Sequence, residues 1–278
     1  MRRVGFAFNP SIETAADVLA RGRGWCAGRE IEAWSAPAED VAAITEQAPG
    51  SDVVCVLGGD GTFLRAAAAL GECGVPTLGV NLGRVGFLAK VEHGGLEAAL
   101  EQVERGESTL EERLRIQVVA VRASGGAERY TCLNDVAVAR GAHARVLHLS
   151  VEISGSHLAT YVADGVVVAT PTGSTAYSFS AGGPILDPSL RNMIITPVAA
   201  YLSAIRSVVV GPEHVVTVTR RSAGEPGVIS LDGQQDVALH EGDRVEVTAL
   251  DEPMRLVEPA GAVPFYDLLR TKVSLLPY

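Results

Sequence analysis

Residues 52–66 read DVVCVLGGDGTFLRA. The opening DVVCVL is short, apolar and β-branched, which marks a strand, and TFLRAAAALGE resumes with helical spacing. Between them Gly58, Gly59 and Gly61 enclose Asp60. Strand, turn and helix in that order form the setting in which α/β sheets bind ligands, beyond the carboxyl ends of their strands. Glycines there allow a ligand to approach the main chain, and the free amides at the helix start make an anion-binding concavity. A carboxylate facing phosphate is out of place unless it meets a cation or takes a proton from an attacking hydroxyl. Gly-Asp-Gly is also common turn chemistry, with the aspartate capping the next helix, and this stretch alone leaves both readings open.

The pattern around it predicts the fold class. VGFAFN, EIEAW, DVVCVL and PTLGVN alternate with TAADVLARGRGW, EDVAAITEQA, TFLRAAAALGE and GGLEAALEQVERG. Such alternation predicts an N-terminal α/β domain, a Rossmann-like parallel sheet with helices, over residues 1–108. From LRIQVVAVRA to RVEVTALD the chain turns into short strand-like runs broken by Gly, Asn and Asp, with one helical interruption near TAYSFSAGG. We expect an all-β sandwich C-terminal domain over 109–258, and a short amphipathic helix within 259–278 that returns to the first domain.

Bulk properties narrow the function. The 278 residues carry a formal net charge of -10, and the arginines are scattered rather than gathered in a stripe, so no nucleic-acid partner is expected. No apolar run reaches the roughly 18 residues of a membrane span, and MRRVGFAFNP lacks a cleavage signature, so a cytoplasmic protein with no membrane partner is expected. Cys26, Cys55, Cys73 and Cys132 have no CxxC spacing and lie in or beside apolar segments, which fits reduced core thiols. The histidines fall in no ligand spacing, so no metal-ligating residues are assigned. Lys90 and Lys272 are the only lysines, and neither stands in a G-x-x-x-x-G-K-[ST] context. The G-x-S-x-G, H-E-x-x-H and kinase H-R-D patterns are absent as well.

Further candidates lie downstream. PTLGVNLGRVGFLAKV repeats the strand-to-loop arrangement and offers Arg84 as a phosphate contact or a clamp between loops, or simply as a solvated arginine. In YTCLNDVAVARG the adjacent Asn134 and Asp135 sit in an apolar strand region, where neighbours point to opposite faces unless a bulge intervenes. They either mark a turn or read a base or ribose through directional hydrogen bonds. In GVVVATPTGSTAYSFSAGGP, Thr172, Ser174, Thr175 and Ser178 surround Gly173 and lead into Ala176 and Tyr177. One hydroxyl is enough for a cap, so this density points to a polar binding surface. Asp232, Gly233 and Gln234 fit a hairpin turn.

LGGDGTFLRA, GVNLGRVGFL, LNDVAVARG, ADGVVVATPTGSTAYSFSAGGPI, ITPV followed by RSVVV, SLDGQ and FYDLLRTKV stand in the order of the NAD kinase family, which the chain resembles from about residue 52 to 273. A glycine-aspartate turn is shared with lipid kinases, whereas TPTGSTAYS is not. The resemblance implies a kinase moving the γ-phosphoryl of ATP, or of inorganic polyphosphate, to the 2′-hydroxyl of the adenosine ribose of NAD, with Mg²⁺ or another divalent cation. It implies that Asp60 acts on that hydroxyl, that Asn134 and Asp135 hold the adenosine part, and that Asp164, Ser174, Thr175, Ala176, Tyr177 and Ser178 line the dinucleotide site. Gly58, Gly59, Gly61, Thr62, Arg84, Phe87, Tyr201 and Gln234 complete the implied nucleotide contacts. It also implies a homo-oligomer, dimer or tetramer. Two positions depart from the family pattern: Tyr201 stands where many members have histidine, and Asp135 where glutamate is common. These keep two alternatives in view, a kinase for another nucleoside or nucleotide and a non-catalytic nucleotide-binding regulator.

Overall fold

A computed structural model describes residues 1–83, 85–141, 146–201, 205–224 and 226–274. The chain begins with alternating elements: β1 (Arg3–Phe8), α1 (Glu13–Ala27), β2 (Glu32–Pro37), α2 (Val41–Gln47), β3 (Val53–Gly58), α3 (Asp60–Cys73), β4 (Thr77–Asn81), β5 (Val91–Glu92), α4 (Leu96–Arg105) and β6 (Thr109–Arg113). Antiparallel strands follow: β7 (Ile116–Val121), β8 (Ala127–Cys132), β9 (Asp135–Ala139), β10 (Leu147–Ile153), β11 (Ser156–Ala163) and β12 (Gly165–Ala169). A short helix α5 (Tyr177–Ser180) precedes β13 (Met193–Val198), β14 (Val208–Val210), β15 (Val216–Arg220), β16 (Gly227–Leu231), β17 (Gln235–Leu239) and β18 (Arg244–Ala249). The last elements are β19 (Met254–Glu258) and α6 (Phe265–Ser274).

Two compact units result, Met1–Glu112 joined by the stretch from Met254, and Arg113–Pro253. The first holds one sheet in the order β2-β1-β3-β4-β19-β6, with β5 paired to β4. Its first four strands run parallel, and β3 is buried along its whole length, as expected of a strand covered on both faces. On one face α1 and α4 pack together over a core of Val4, Phe6, Val53, Cys55, Leu57, Leu78 and Val80. Helix α1 presents Ala15, Val18, Gly22, Trp25 and Cys26 to the interior, one stripe at helical spacing. On the other face α2 packs against α3. Asp40 starts α2 by accepting a hydrogen bond from the Ala43 amide at 3.0 Å.

Strand order fixes where a ligand belongs in this sheet. The chain runs from β1 outward to β2, then returns to place β3 on the other flank of β1. Their C-terminal ends therefore flank a topological switch point, the position where open α/β sheets bind ligands. Asn9 follows β1 there, and Gly59 and Asp60 follow β3. The Asn9 amide donates to the Leu57 carbonyl at 3.1 Å, tying the two ends together.

The second unit has two six-stranded sheets, β11-β10-β15-β18-β7-β8 and β14-β13-β12-β9-β16-β17. β7, β15 and β16 alternate buried and half-exposed residues, whereas β9 and β12 are almost wholly buried. The shared core draws Val118, Leu149, Val218 and Val247 from one sheet and Val138, Val168, Ile195 and Ile229 from the other, as in a β-sandwich. The α/β and all-β character expected of the two halves is what the structure has. Leu149 is fully buried in the sandwich core. Leu149→Ala is expected to destabilise the protein by about 2–5 kcal/mol, read as a lower urea midpoint.

Candidate functional site

In the first unit the site is organised by one carboxylate. Asp60 is the first residue of α3, and Gly59 before it is extended, so the strand passes into the helix with no side chain at the turn. A negative group is favourable at a helix N-terminus. The Asp60 Oδ2 accepts from the Phe87 amide at 2.8 Å, and Oδ1 accepts from Leu88 at 3.0 Å and Ala89 at 3.1 Å. A carboxylate offers about four lone-pair sites, and these bonds occupy three of them. The group is locked in orientation yet keeps a site on Oδ2 for a further donor.

The loop 82–89 is shaped to reach Asp60. Asn81 is buried and closes its own turn, its Oδ1 accepting from the Gly83 amide at 3.1 Å and its Nδ2 donating to the Gly83 carbonyl at 3.0 Å. A Cβ at Gly86 would lie 1.8 Å from the Asp60 Oδ1, so only glycine allows the carboxylate this close. Gly58 closes β3 and is buried, Gly61 is exposed, and Thr62 is buried with its hydroxyl 3.5 Å from the Asn9 Nδ2. Phe87 supplies one amide of the cage and stacks its ring on Phe265. Arg84 lies outside the described residues. Asn9 was not singled out from the sequence; the signal was its place directly after β1.

A second carboxylate plays the same part in the other unit. Asp232 and Gly233 take positive φ of 50° and 63° in the hairpin between β16 and β17. That conformation suits the expected turn. The Asp232 side chain accepts from three consecutive amides, Leu133 at 2.9 Å, Asn134 at 2.7 Å and Asp135 at 3.0 Å. Its own amide returns a bond to the Asp135 carbonyl at 2.9 Å. The sequence reading saw only a turn at Asp232, because its long-range partners lie nearly a hundred positions away. Asn134 occupies the bend before β9, and Asp135 is the first residue of that strand. Among the described residues, the Asn134 Oδ1 is buried with no hydrogen-bond partner. An unsatisfied buried amide oxygen is costly, and a ligand donor would relieve it.

The segment after β12 is laced to the same bend. The Thr170 amide donates to the Asn134 carbonyl at 2.8 Å, and its hydroxyl donates to the Leu133 carbonyl at 2.6 Å. A Cβ on Gly173 would come 2.1 Å from the Asn134 carbonyl oxygen, which requires glycine there. Several of the clustered hydroxyls turn inward. Ser174 donates to the Pro171 carbonyl at 2.6 Å and accepts from the Leu186 amide at 3.0 Å, while Ser178 lies 3.0 Å from the Thr196 hydroxyl. Thr175 reaches the Thr172 carbonyl at 3.2 Å. Ala176 and Thr175 are half-exposed and Tyr177 is exposed, so these face outward. Asp164 pairs with Arg140 at 2.9 Å, Gln234 is exposed on the hairpin, and Tyr201 is 71% exposed.

Charge at the bend is unusual. Burial, and then the nearby Asp232 charge, pushes the Asp135 carboxyl up to about 7. Burial also raises Asp232 to about 6, against the pull of its three amide bonds. Folding thus makes both groups hold protons that unfolded carboxylates release near pH 4.

The chain matches two family models, the ATP-NAD kinase N-terminal domain over residues 12–108 and the ATP-NAD kinase C-terminal domain over residues 133–259. An NAD kinase of Syntrophotalea carbinolica is 36% identical over 282 residues, covering 99% of each chain. The fold is that of yeast NADH kinase complexed with NADH (TM-score 0.86, 21% identity, 100% of this chain and 89% of that one). It is also that of an NAD kinase from Archaeoglobus fulgidus in complex with ATP (TM-score 0.80, 24% identity, 98% and 99%). The matched family models and relatives are those of a phosphotransferase, a kinase. The chain belongs to the ATP-NAD kinase family. Nothing among these relatives favours the other acceptor or the non-catalytic regulator.

Two outcomes follow from this geometry. Gly86→Ala should lower kcat by about 10²-fold or more while the protein stays folded, since displacing a reacting group by about 1 Å costs that much. Because Asp135 binds its proton more tightly when folded, its contribution to stability is present at acid pH and lost as pH rises from about 4 through about 7. The wild-type melting temperature should fall across that window, and Asp135→Asn should flatten the fall and melt higher at pH 8.

Proposed function

We propose that the chain transfers the γ-phosphoryl of ATP to the 2′-hydroxyl of the adenosine ribose of NAD, giving NADP and ADP. The observation that carries this reading is the Asp60 carboxylate, fixed at the start of α3 by three amides with one lone-pair site left for a hydroxyl. The hydroxyl donates its proton to Asp60 as its oxygen attacks the γ-phosphorus, and the bond from that phosphorus to the ADP oxygen breaks. Phosphoryl transfer relies on positioning and charge neutralisation more than on covalent participation, so the lack of a Walker lysine is no obstacle.

Asn134 supplies an acceptor for a donor group on the dinucleotide, supported by its orphaned buried oxygen. Asp135, held near neutrality, can present either a proton or a lone pair to the base or ribose. The outward residues Thr175, Ala176 and Tyr177 line the dinucleotide, and Ser174 and Ser178 shape the turn that carries them. Mg²⁺ or another divalent cation would come bound to the ATP phosphates, as the family resemblance implies. There the cation would offset charge on the transferring group. Inorganic polyphosphate is a second donor that the family resemblance allows. No helix among the described residues is long and apolar enough to cross a membrane, and the four cysteines are free. A cytoplasmic setting and, from the family resemblance, a homo-oligomer complete the proposal.

Purified protein with ATP, Mg²⁺ and NAD should produce NADP, with the phosphate position fixed by NMR. Asp60→Asn should lose about 10² to 10⁴-fold in kcat, the usual worth of a general base. Faster turnover of an acceptor lacking the nicotinamide half would overturn the assignment of NAD.

A further inference from the structure

Lys90 directly follows the three residues whose amides hold Asp60. Its Nζ bonds to Glu258 of β19 and lies 3.3 Å from the Glu111 carboxylate of β6. The lysine side chain is only 8% exposed, and its partners are 18% and 22% exposed. This is no solvated surface pair of the kind that contributes almost nothing. The ammonium and both carboxylates meet in a poorly hydrated place. Burial, together with a hydrogen bond that a protonated Glu258 donates to Glu111, raises the Glu258 carboxyl above its ordinary range against the pull of Lys90. At the other end of the same short run, the Phe87 ring packs on Phe265 of α6 with centroids 5.6 Å apart, and the Lys272 Nζ sits 5.2 Å from the Phe87 ring. The run 87–90 is thus pinned at both ends by side chains that follow Met254 in sequence.

We infer that Lys90, Glu111 and Glu258 form a positioning cluster that sets the direction of the 87–89 amides and, through them, of the Asp60 carboxylate. The inference rests on the reading of Asp60 as the group that meets the acceptor hydroxyl. Lys90 touches no reacting atom. Its effect is transmitted along one residue of backbone. Without the ammonium the run loses its tie to β6 and β19 at this end, and the 87–89 amides are free to turn away from Asp60. The predicted signature is a fall in turnover with little change in substrate affinity, because the binding groups named for the dinucleotide stand on other elements.

The test compares Lys90→Met, Lys90→Arg and Asp60→Asn in initial-rate kinetics with NAD and MgATP, alongside thermal melts. Lys90→Met should lose about 10-fold or more in kcat with KM for both substrates within about twofold, since a small displacement of a reacting group is felt at that scale. Lys90→Arg should recover most of the rate. In an Asp60→Asn background, Lys90→Met should cost little more, because the group it positions is already disabled. Should Lys90→Met not fold, the triple change Lys90→Met, Glu111→Gln, Glu258→Gln removes the stranded charges; it should fold and show the same kcat loss. A lowered melting temperature with unchanged kcat, or a loss that multiplies fully with Asp60→Asn, would overturn the inference. An Asp60→Asn enzyme with normal rate would instead sink the reading of Asp60, whatever Lys90 does.

Discussion

A carboxylate that accepts from three consecutive backbone amides does what neither a helix nor a sheet can do: it gives a fixed shape to irregular chain. Both halves of this protein use the device. Asp60 gathers Phe87, Leu88 and Ala89, and Asp232 gathers Leu133, Asn134 and Asp135. Hydrogen bonds to a charged acceptor contribute about 1.5–3 kcal/mol each, so each cluster is strong enough to hold a loop against its own conformational entropy. The two differ in what is presented. Around Asp60 the loop orients the carboxylate, and around Asp232 the carboxylate orients the loop.

That difference explains the neighbouring glycines and hydroxyls. Gly86 is needed because the loop comes down onto Asp60, and Gly173 because the turn after β12 comes down onto Asn134. Thr170, Ser174 and Ser178 then spend their hydroxyls inside the protein, which leaves Tyr177 and its neighbours free to point outward. Stability is sacrificed at Asp135, whose burial beside a second acid is unfavourable for its charged form. Such local conflicts with folding are expected where a site must be ready before its ligand arrives.

The sequence made the architecture legible because its periods are local. Alternating strand and helix patterns up to residue 108, and punctuated strands after it, correspond to the α/β and all-β characters found. GGDGT, LND and TPTGSTAYS stood out because glycine, aspartate and hydroxyl residues are dense there. What stayed hidden was long-range. Asp232 looked like hairpin chemistry because nothing local reveals that its carboxylate meets residues 133–135. Asn9 was passed over because its meaning comes from the strand order β2-β1-β3, which periodicity does not encode. The inward turn of Ser174 and Ser178 depends on Leu186 and Thr196, segments beyond the motif itself.

The place of β19 has a consequence for how the molecule is made. It lies between β4 and β6 in the first sheet, yet the whole stretch Arg113–Pro253 is synthesised before it. A nascent chain can pair β1 to β4 early and cover the end of β4 with β5, but the start of β4 at Thr77 lacks its partner on that flank until Met254–Glu258 leaves the ribosome. Such distant pairing is slow, and an unpaired strand edge invites wrong partners in the interval. Glu258 comes with that strand, so a truncated nascent kinase lacks both the missing sheet member and an acid bonded to Lys90. The corner around Asp60 is therefore completed only once the end of the chain is available.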